Sequence, residues 1–181
     1  MAGSLAGHSE TAFMSFSIYD ASVPLFKRQL TALDTILDKA AAHAEARKID
    51  PSVLLNARLF PDMFPLTRQV QIASDAAKGL TARLAGSEPP VFEDTEKTFP
   101  ELKERIRKTV AYLDTIAAAK IEGSEQRQVK LKLGPNEMTF TGSDFLRNFA
   151  LPNFYFHVTA AYAILRHNGV DIGKLDFLGG I

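Results

Sequence analysis

The chain has 181 residues, of which 21 are Lys or Arg and 21 are Asp or Glu, so its formal net charge is zero. This balance excludes the broad basic surface that binds nucleic acid, and we expect no nucleic-acid partner. The absence of cysteine excludes disulfides, thiolate zinc sites and a cysteine nucleophile. It also fits the cytoplasm, where we expect the protein. No stretch is long and apolar enough to cross a bilayer, so we expect no membrane partner.

The first thirteen residues are small or polar and lack the basic start and apolar run of a signal peptide. We predict a disordered lead-in over residues 1–13, followed by one domain over residues 14–181. Either Met1 or Met14 is the native start under this interpretation.

Two helices are predicted in the first third of the chain. Apolar residues recur at steps of three and four from Asp20 to Ala46, which predicts a long amphipathic helix with Pro24 in its first turn. Asp50 can cap a short second helix that begins with Pro51 and continues over Ser52 to Ala57.

Two further long helices follow a proline-containing loop. The loop spans residues 58–65, and the pattern after it predicts a helix from Pro65 to Leu84, ended by Gly86. Another helix is predicted from Phe99 to Ala119, with Thr98 as its cap.

The pattern then changes to a period of two. Residues 128–133 alternate polar and apolar side chains, and residues 138–141 supply a returning strand after the turn-forming sequence of residues 134–137. We predict a small β-hairpin there. A last helix starts at Phe145 after Ser143 and Asp144, is kinked or restarted by Pro152, and ends near Gly169; the remaining tail packs across the helices.

Asn153 and His157 on this last helix are the first candidate site residues. Their spacing of four places both on one helix face, within an otherwise apolar stripe. One interpretation is a buried polar pair, hydrogen-bonded to backbone or to another helix. The other is a ligand or metal pocket, because helix bundles build such sites from facing helices.

Other residues could belong to the same interior. Gln69 lies beside the apolar stripe of its helix and could face His157, although a locally satisfied amide is the alternative. Tyr155 and Tyr162 flank His157 and could line a cavity or only pack. Asp75 is expected to be solvated. The HExxH, GxSxG, P-loop and GxGxxG motifs are absent, and no spacing supports a catalytic triad.

Three stretches together resemble an uncharacterised bacterial domain-of-unknown-function family in the DinB/YfiT-like superfamily of metal-dependent four-helix bundles. They are LPNFYFHVTAAYAILRHNGV, ARLFPDMFPLTRQVQIASD and SIYDASVPLFKRQLTALDTILDKA. The resemblance extends from Met14 to the C-terminus. It implies an all-α, DinB-like four-helix bundle, here with a small β-hairpin between helices three and four, and a homodimer.

The resemblance also implies where a metal would bind. Typical relatives hold nickel or zinc with one histidine on the second helix and a His-x-x-x-His pair on the last helix. Some transfer low-molecular-weight thiols, and others are hydrolases or isomerases. The matching positions here are Gln69, Asn153 and His157, so one histidine of three is kept. Neutral amides are poor ligands for these ions, and we expect a degenerate, metal-free site.

Three hypotheses follow for the function. The first is a small-molecule-binding domain with a pocket around His157, without a cofactor. The second is an enzyme, either a metal-dependent thiol transferase or hydrolase with His157 as ligand, or a metal-free enzyme with His157 as general base. The third is a structural or interaction protein, which requires this region to be packed shut.

Overall fold

The computed structural model describes residues 16–180, so the predicted lead-in over residues 1–13 lies outside the described part of the chain. The fold is mostly helical, with one small antiparallel sheet. Its helices are α1 (Val23–Arg47), α2 (Pro51–Leu55), α3 (Leu66–Leu84), α4 (Phe99–Asp114), α5 (Ala118–Ile121), α6 (Gly142–Asp144), α7 (Leu151–His167) and α8 (Lys174–Phe177).

The starts of two helices follow the predicted capping chemistry. The Asp50 side chain accepts a hydrogen bond from the backbone N–H of Ser52, and Pro51 opens α2. At α4, the Thr98 hydroxyl accepts from the N–H of Glu101, whose carboxylate accepts from the N–H of Thr98. Each pair satisfies donors that a helix start leaves without a partner.

The four long helices bury one continuous apolar core. Helix α3 packs against α4 and α7, and α1 packs against α4 and α7 from the other side. Phe26 of α1 and Phe154 of α7 meet edge to face, with ring centroids 4.6 Å apart. Within residues 16–180, no helix has the length and hydropathy of a membrane span.

Helix α4 ends earlier than the sequence pattern predicts. It stops at Asp114 rather than Ala119, and Ala117, which continues the apolar stripe, is exposed and stands at the start of α5. The predicted extension was therefore wrong. Alanine fits an apolar stripe and a solvent-exposed turn equally well, so the stripe alone could not locate the helix end.

The predicted hairpin is present. Strand β1 (Gln128–Leu133) pairs antiparallel with β2 (Asn136–Thr141), and Gly134 adopts a positive φ of 58° in the two-residue turn. Val129 and Leu131 are buried and join the sheet to the helical core. The second strand begins two residues earlier than predicted.

The chain enters its last long helix through an unusual segment. The Thr141 hydroxyl accepts from the N–H of Asp144 at the start of α6, and residues 145–150 then form a π-helical stretch before α7. Pro152 lies in the first turn of α7. Proline lacks an N–H and clashes with the carbonyl four residues earlier in a regular α-helix, so a wider turn just before it relieves both problems.

The C-terminal tail folds back on α1, as predicted. The Gln29 side chain donates to the backbone carbonyl of Phe177 at 2.8 Å, and Lys39 pairs with Asp176 at 2.6 Å. The ring of Phe177 packs edge to face on Tyr162. The tail thereby covers one side of α1 and the C-terminal half of α7.

Candidate functional site

Helices α3 and α7 bring two of the candidate residues, Gln69 and His157, into direct contact. Gln69 lies in the first turn of α3, just after the proline-containing loop, and His157 lies in the middle of α7. Both side chains are buried, with exposed fractions of 1% and 7%. The Oε1 of Gln69 is 2.7 Å from Nδ1 of His157.

The hydrogen bonds around Gln69 settle which imidazole nitrogen carries the proton. The Nε2 of Gln69 donates to the backbone carbonyl of Phe64 at 3.0 Å, so its Oε1 is the atom directed at His157. An amide oxygen only accepts, and Nδ1 of His157 must therefore be the donor. The tautomer with a proton on Nδ1 leaves the lone pair of Nε2 free for a proton or a ligand.

The surroundings favour the neutral imidazole. Burial lowers the pKa of His157 below its usual value of 6.5, and the positive charge of Arg68 lowers that pKa further. A neutral His157 fits the alternative in which a buried polar group is hydrogen-bonded to a neighbouring helix. It also has the protonation state that a general base needs.

Asn153 lies one turn earlier on α7 and lines a different space. It is half-buried at a cleft of about 170 Å³ between α3, β1 and the π-helical segment. The cleft is otherwise mostly apolar; its other lining residues are Ile72, Asp75, Ala76, Gly79, Leu80, Arg83, Leu131, Phe145, Phe149 and Ala150. Asn153 and His157 share one face of α7, as their spacing predicts, and this face lies toward α3, but His157 does not line the cleft.

The two tyrosines lie away from the cleft. Tyr155 lines a shallow apolar depression on the outer side of α7, together with Leu59, Met63 and Phe156. Tyr162 packs against Phe177 of the tail, with ring centroids 5.6 Å apart. The structure therefore does not bring Tyr155 or Tyr162 together with Asn153.

A buried charge cluster borders the cleft, and sequence reasoning missed it. The guanidinium of Arg105 is almost fully buried and pairs with Asp75 at 2.8 Å, Asp94 at 2.9 Å and Glu96 at 3.0 Å. Asp75 also pairs with buried Lys78 at 2.7 Å. The sequence led us to expect a solvated Asp75, but its carboxylate is held in ion pairs with Lys78 and Arg105. The partners lie 9 to 30 positions from Arg105, a separation that no local pattern reveals.

In the described part of the chain, His157 is hydrogen-bonded to the Gln69 amide, which is in turn bonded to the backbone carbonyl of Phe64. Across residues 16–180, no three His, Asp or Glu side chains come together in a group that could hold a metal ion. The Gln69 amide is neutral, and both its oxygen and its nitrogen are already hydrogen-bonded.

The fold and these contacts define a DinB-like helical domain. A structural comparison finds a similar protein, described as a DinB family member from Shewanella denitrificans, whose crystal structure was determined at 1.83 Å resolution. The two share 43% sequence identity and a TM-score of 0.82, over 91% of this chain and 93% of the other.

The family model described as Domain of unknown function (DUF1993) matches residues 18–178. The chain therefore belongs to the DUF1993 family. None of the curated proteins matches it.

Proposed function

We propose that this protein is a single-domain, DinB-like four-helix bundle that binds a small molecule next to a degenerate metal site. The observation that carries the proposal is the hydrogen bond between Gln69 and His157, which occupies the position where relatives are expected to hold a metal. The open cleft at Asn153, one helical turn away, supplies the space for a ligand.

The donor chemistry argues against the metal that the fold family implies. Nickel and zinc prefer imidazole or thiolate ligands, and a site with one imidazole and two amides provides neither charge nor a second imidazole. Releasing the Gln69 oxygen to a metal would break its bond to Nδ1 of His157, which is buried. The residues present do not fit the group, and we derive no metal-dependent step.

Cleft binding can be tested by filling the cleft. Ala76 is half-buried on α3 and lines the cleft, so Ala76→Leu should occupy that space while keeping a good helix former. Ala42→Leu on the exposed side of α1 is the matched control. The measurement is a ligand-observed NMR screen of a small-molecule library against the full chain and both variants.

Molecules that bind the wild type and the Ala42 variant but not the Ala76 variant are the expected result. A library without binders, or binders unaffected by Ala76→Leu, would contradict the proposed cleft.

We also propose that the protein forms a homodimer through the depression on α7. Leu59 and Phe156 are 40% and 57% exposed there, and the depression is lined by uncharged side chains. A second copy of the same chain can cover such a neutral apolar surface without like-charge repulsion, as a two-fold interface requires. Light scattering should show a dimer that Phe156→Glu dissociates; a wild-type monomer at micromolar concentration would contradict it.

A further inference from the structure

The cleft contains one cation that lacks an ionic partner. The side chain of Arg83 is half-buried on α3, and its Nη1 donates to the backbone carbonyl of Gly79 at 2.9 Å. Among residues 16–180, no carboxylate lies within 4.0 Å of its guanidinium. Burial lowers the pKa of Arg83, and the smaller effect of the Glu88 charge raises that pKa. Four of the five N–H donors of a guanidinium remain for other partners.

The neighbouring charges do not neutralise Arg83. Asp75, the carboxylate of the cleft, is already bound by both Arg105 and Lys78. The remaining acids of that cluster, Asp94 and Glu96, are directed at Arg105. Glu88 raises the pKa of Arg83 but lies beyond ion-pair distance, so the cleft presents a guanidinium that forms no ion pair of its own within residues 16–180.

Gly79 allows Arg83 to lie flat against the helix. A Cβ at position 79 would come within 2.7 Å of Nη1 of Arg83, so any larger residue would displace the guanidinium. Glycine in a helix interior is less favourable than alanine. Here its absent side chain makes the room in which the guanidinium sits.

The rest of the cleft is suited to an aromatic ring. Phe145 and Phe149 stack with centroids 5.8 Å apart and an interplanar angle of 11°, and Phe149 is only partly buried. Both come from the π-helical segment, which places them on the cleft wall. The volume of about 170 Å³ equals roughly six water volumes, which suits a single ring with one small polar group.

We propose that the cleft recognises a small aromatic carboxylate, with the carboxylate on Arg83 and the ring against Phe149. Asn153 is placed at the same cleft and offers an amide to the ligand. This inference rests on the proposed small-molecule function and names the chemical class of the ligand. Planar Arg–carboxylate pairing gives both charge and geometric complementarity.

The test compares benzoate with benzamide, which has nearly the same shape but no charge. Both are titrated into ¹⁵N-labelled full-chain protein, and chemical-shift changes are followed at the backbone amides of Phe149 and Asn153. We expect benzoate to bind at least about tenfold more tightly than benzamide, because a charge-assisted bidentate pair is the stronger interaction.

Two variants separate recognition from folding. Arg83→Gln removes the charge, and Gly79→Ala keeps the charge but displaces the guanidinium while favouring the helix. Both should weaken benzoate binding about tenfold or more and leave benzamide nearly unchanged. Arg166→Gln, on an exposed arginine in the last turn of α7, is the matched control and should change neither.

The outcomes distinguish the two proposals. Equal binding of both probes, unaffected by Arg83→Gln, would overturn anion recognition and leave cleft binding in place. No shift at Phe149 and Asn153 with either probe would overturn the assigned ligand class, and the cleft-filling screen would then decide the proposed function separately.

Discussion

Nδ1 of His157 lies 2.7 Å from Oε1 of Gln69, and the amide nitrogen of Gln69 lies 3.0 Å from the carbonyl oxygen of Phe64. These two hydrogen bonds connect α7 through α3 to the proline-containing loop. Because both side chains are buried, each bond satisfies a group that water cannot reach. The pair therefore has a structural consequence that can be measured apart from any ligand.

Replacing Gln69 by leucine should destabilise the fold. Gln69→Leu keeps a similar volume but leaves the N–H of His157 and the carbonyl of Phe64 without partners, at a cost of about 1–3 kcal/mol in the free energy of unfolding. Urea denaturation measures this loss. Gln128→Leu, on the exposed face of β1, is the control and should stay within about 0.5 kcal/mol of the wild type. Equal stability of the two variants would show that the hydrogen bonds contribute nothing.

The free energy of unfolding should decrease as the pH is lowered, because His157 titrates differently in the folded and unfolded chains. Its pKa is lowered in the folded state, first by burial and then by Arg68, so below pH 6.5 the unfolded chain binds a proton that the folded chain does not. The contribution is complete above pH 6.5 and is lost as the pH falls toward the folded-state pKa.

Urea denaturation between pH 7.5 and about pH 5.5 tests this titration. His157→Gln should give a shallower dependence of stability on pH than the wild type, whereas His167→Gln, an exposed residue at the end of α7, should retain the wild-type slope. An unchanged slope in the His157 variant would mean that another group controls the pH dependence.

Gly142 joins the hairpin to the last helix where no side chain fits. An added Cβ would lie 2.0 Å from the backbone oxygen of Ser124, and backbone cannot rotate away as a side chain can. Gly142→Ala should lower the free energy of unfolding by about 1–3 kcal/mol or more. At Gly173, nothing lies within 4 Å of such a Cβ, so Gly173→Ala should be nearly neutral in the same urea titration. A Gly142→Ala variant as stable as the wild type would show that the backbone at Ser124 moves away from position 142 without a cost in stability.

Restoring imidazoles should create a metal site at the position that we propose to be degenerate in this chain. Gln69→His together with Asn153→His places two more histidines on α3 and α7, where they face each other's helix around His157. Three imidazoles suit nickel and zinc far better than one imidazole with two amides. Elemental analysis of the double variant should show about one ion per chain, and a metal-free double variant would mean that the three positions do not converge.

The sequence was most informative where structure depends on local pattern. The capping residues Asp50 and Thr98 and the alternation of residues 128–133 predicted helix starts and a strand that the structure contains. The end of α4 was missed because Ala117 suits either a helix or a turn. The π-helical segment has no distinct periodicity over so few residues.

The site was only partly predictable for a related reason. The spacing of Asn153 and His157 predicted one shared face of the last helix, and in the structure that face lies toward α3. Gln69 was considered as a residue that could face His157, and the two side chains are hydrogen-bonded. The cleft cation Arg83 was missed because its place in the cleft depends on the space that Gly79 leaves. It also depends on Asp75, the carboxylate of the cleft, being bound by Arg105. The contacts of Arg105 join residues 9 to 30 positions apart, and only the packing of the helices brings them together.

The metal content of the purified protein tests the central claim most directly. The full chain and His157→Ala are dialysed extensively and compared by elemental mass spectrometry. We predict far less than one nickel, zinc or manganese ion per chain in both, because Gln69 and Asn153 supply only amides. Near-stoichiometric metal that disappears in the His157 variant would contradict the account and favour a metal-dependent transferase or hydrolase.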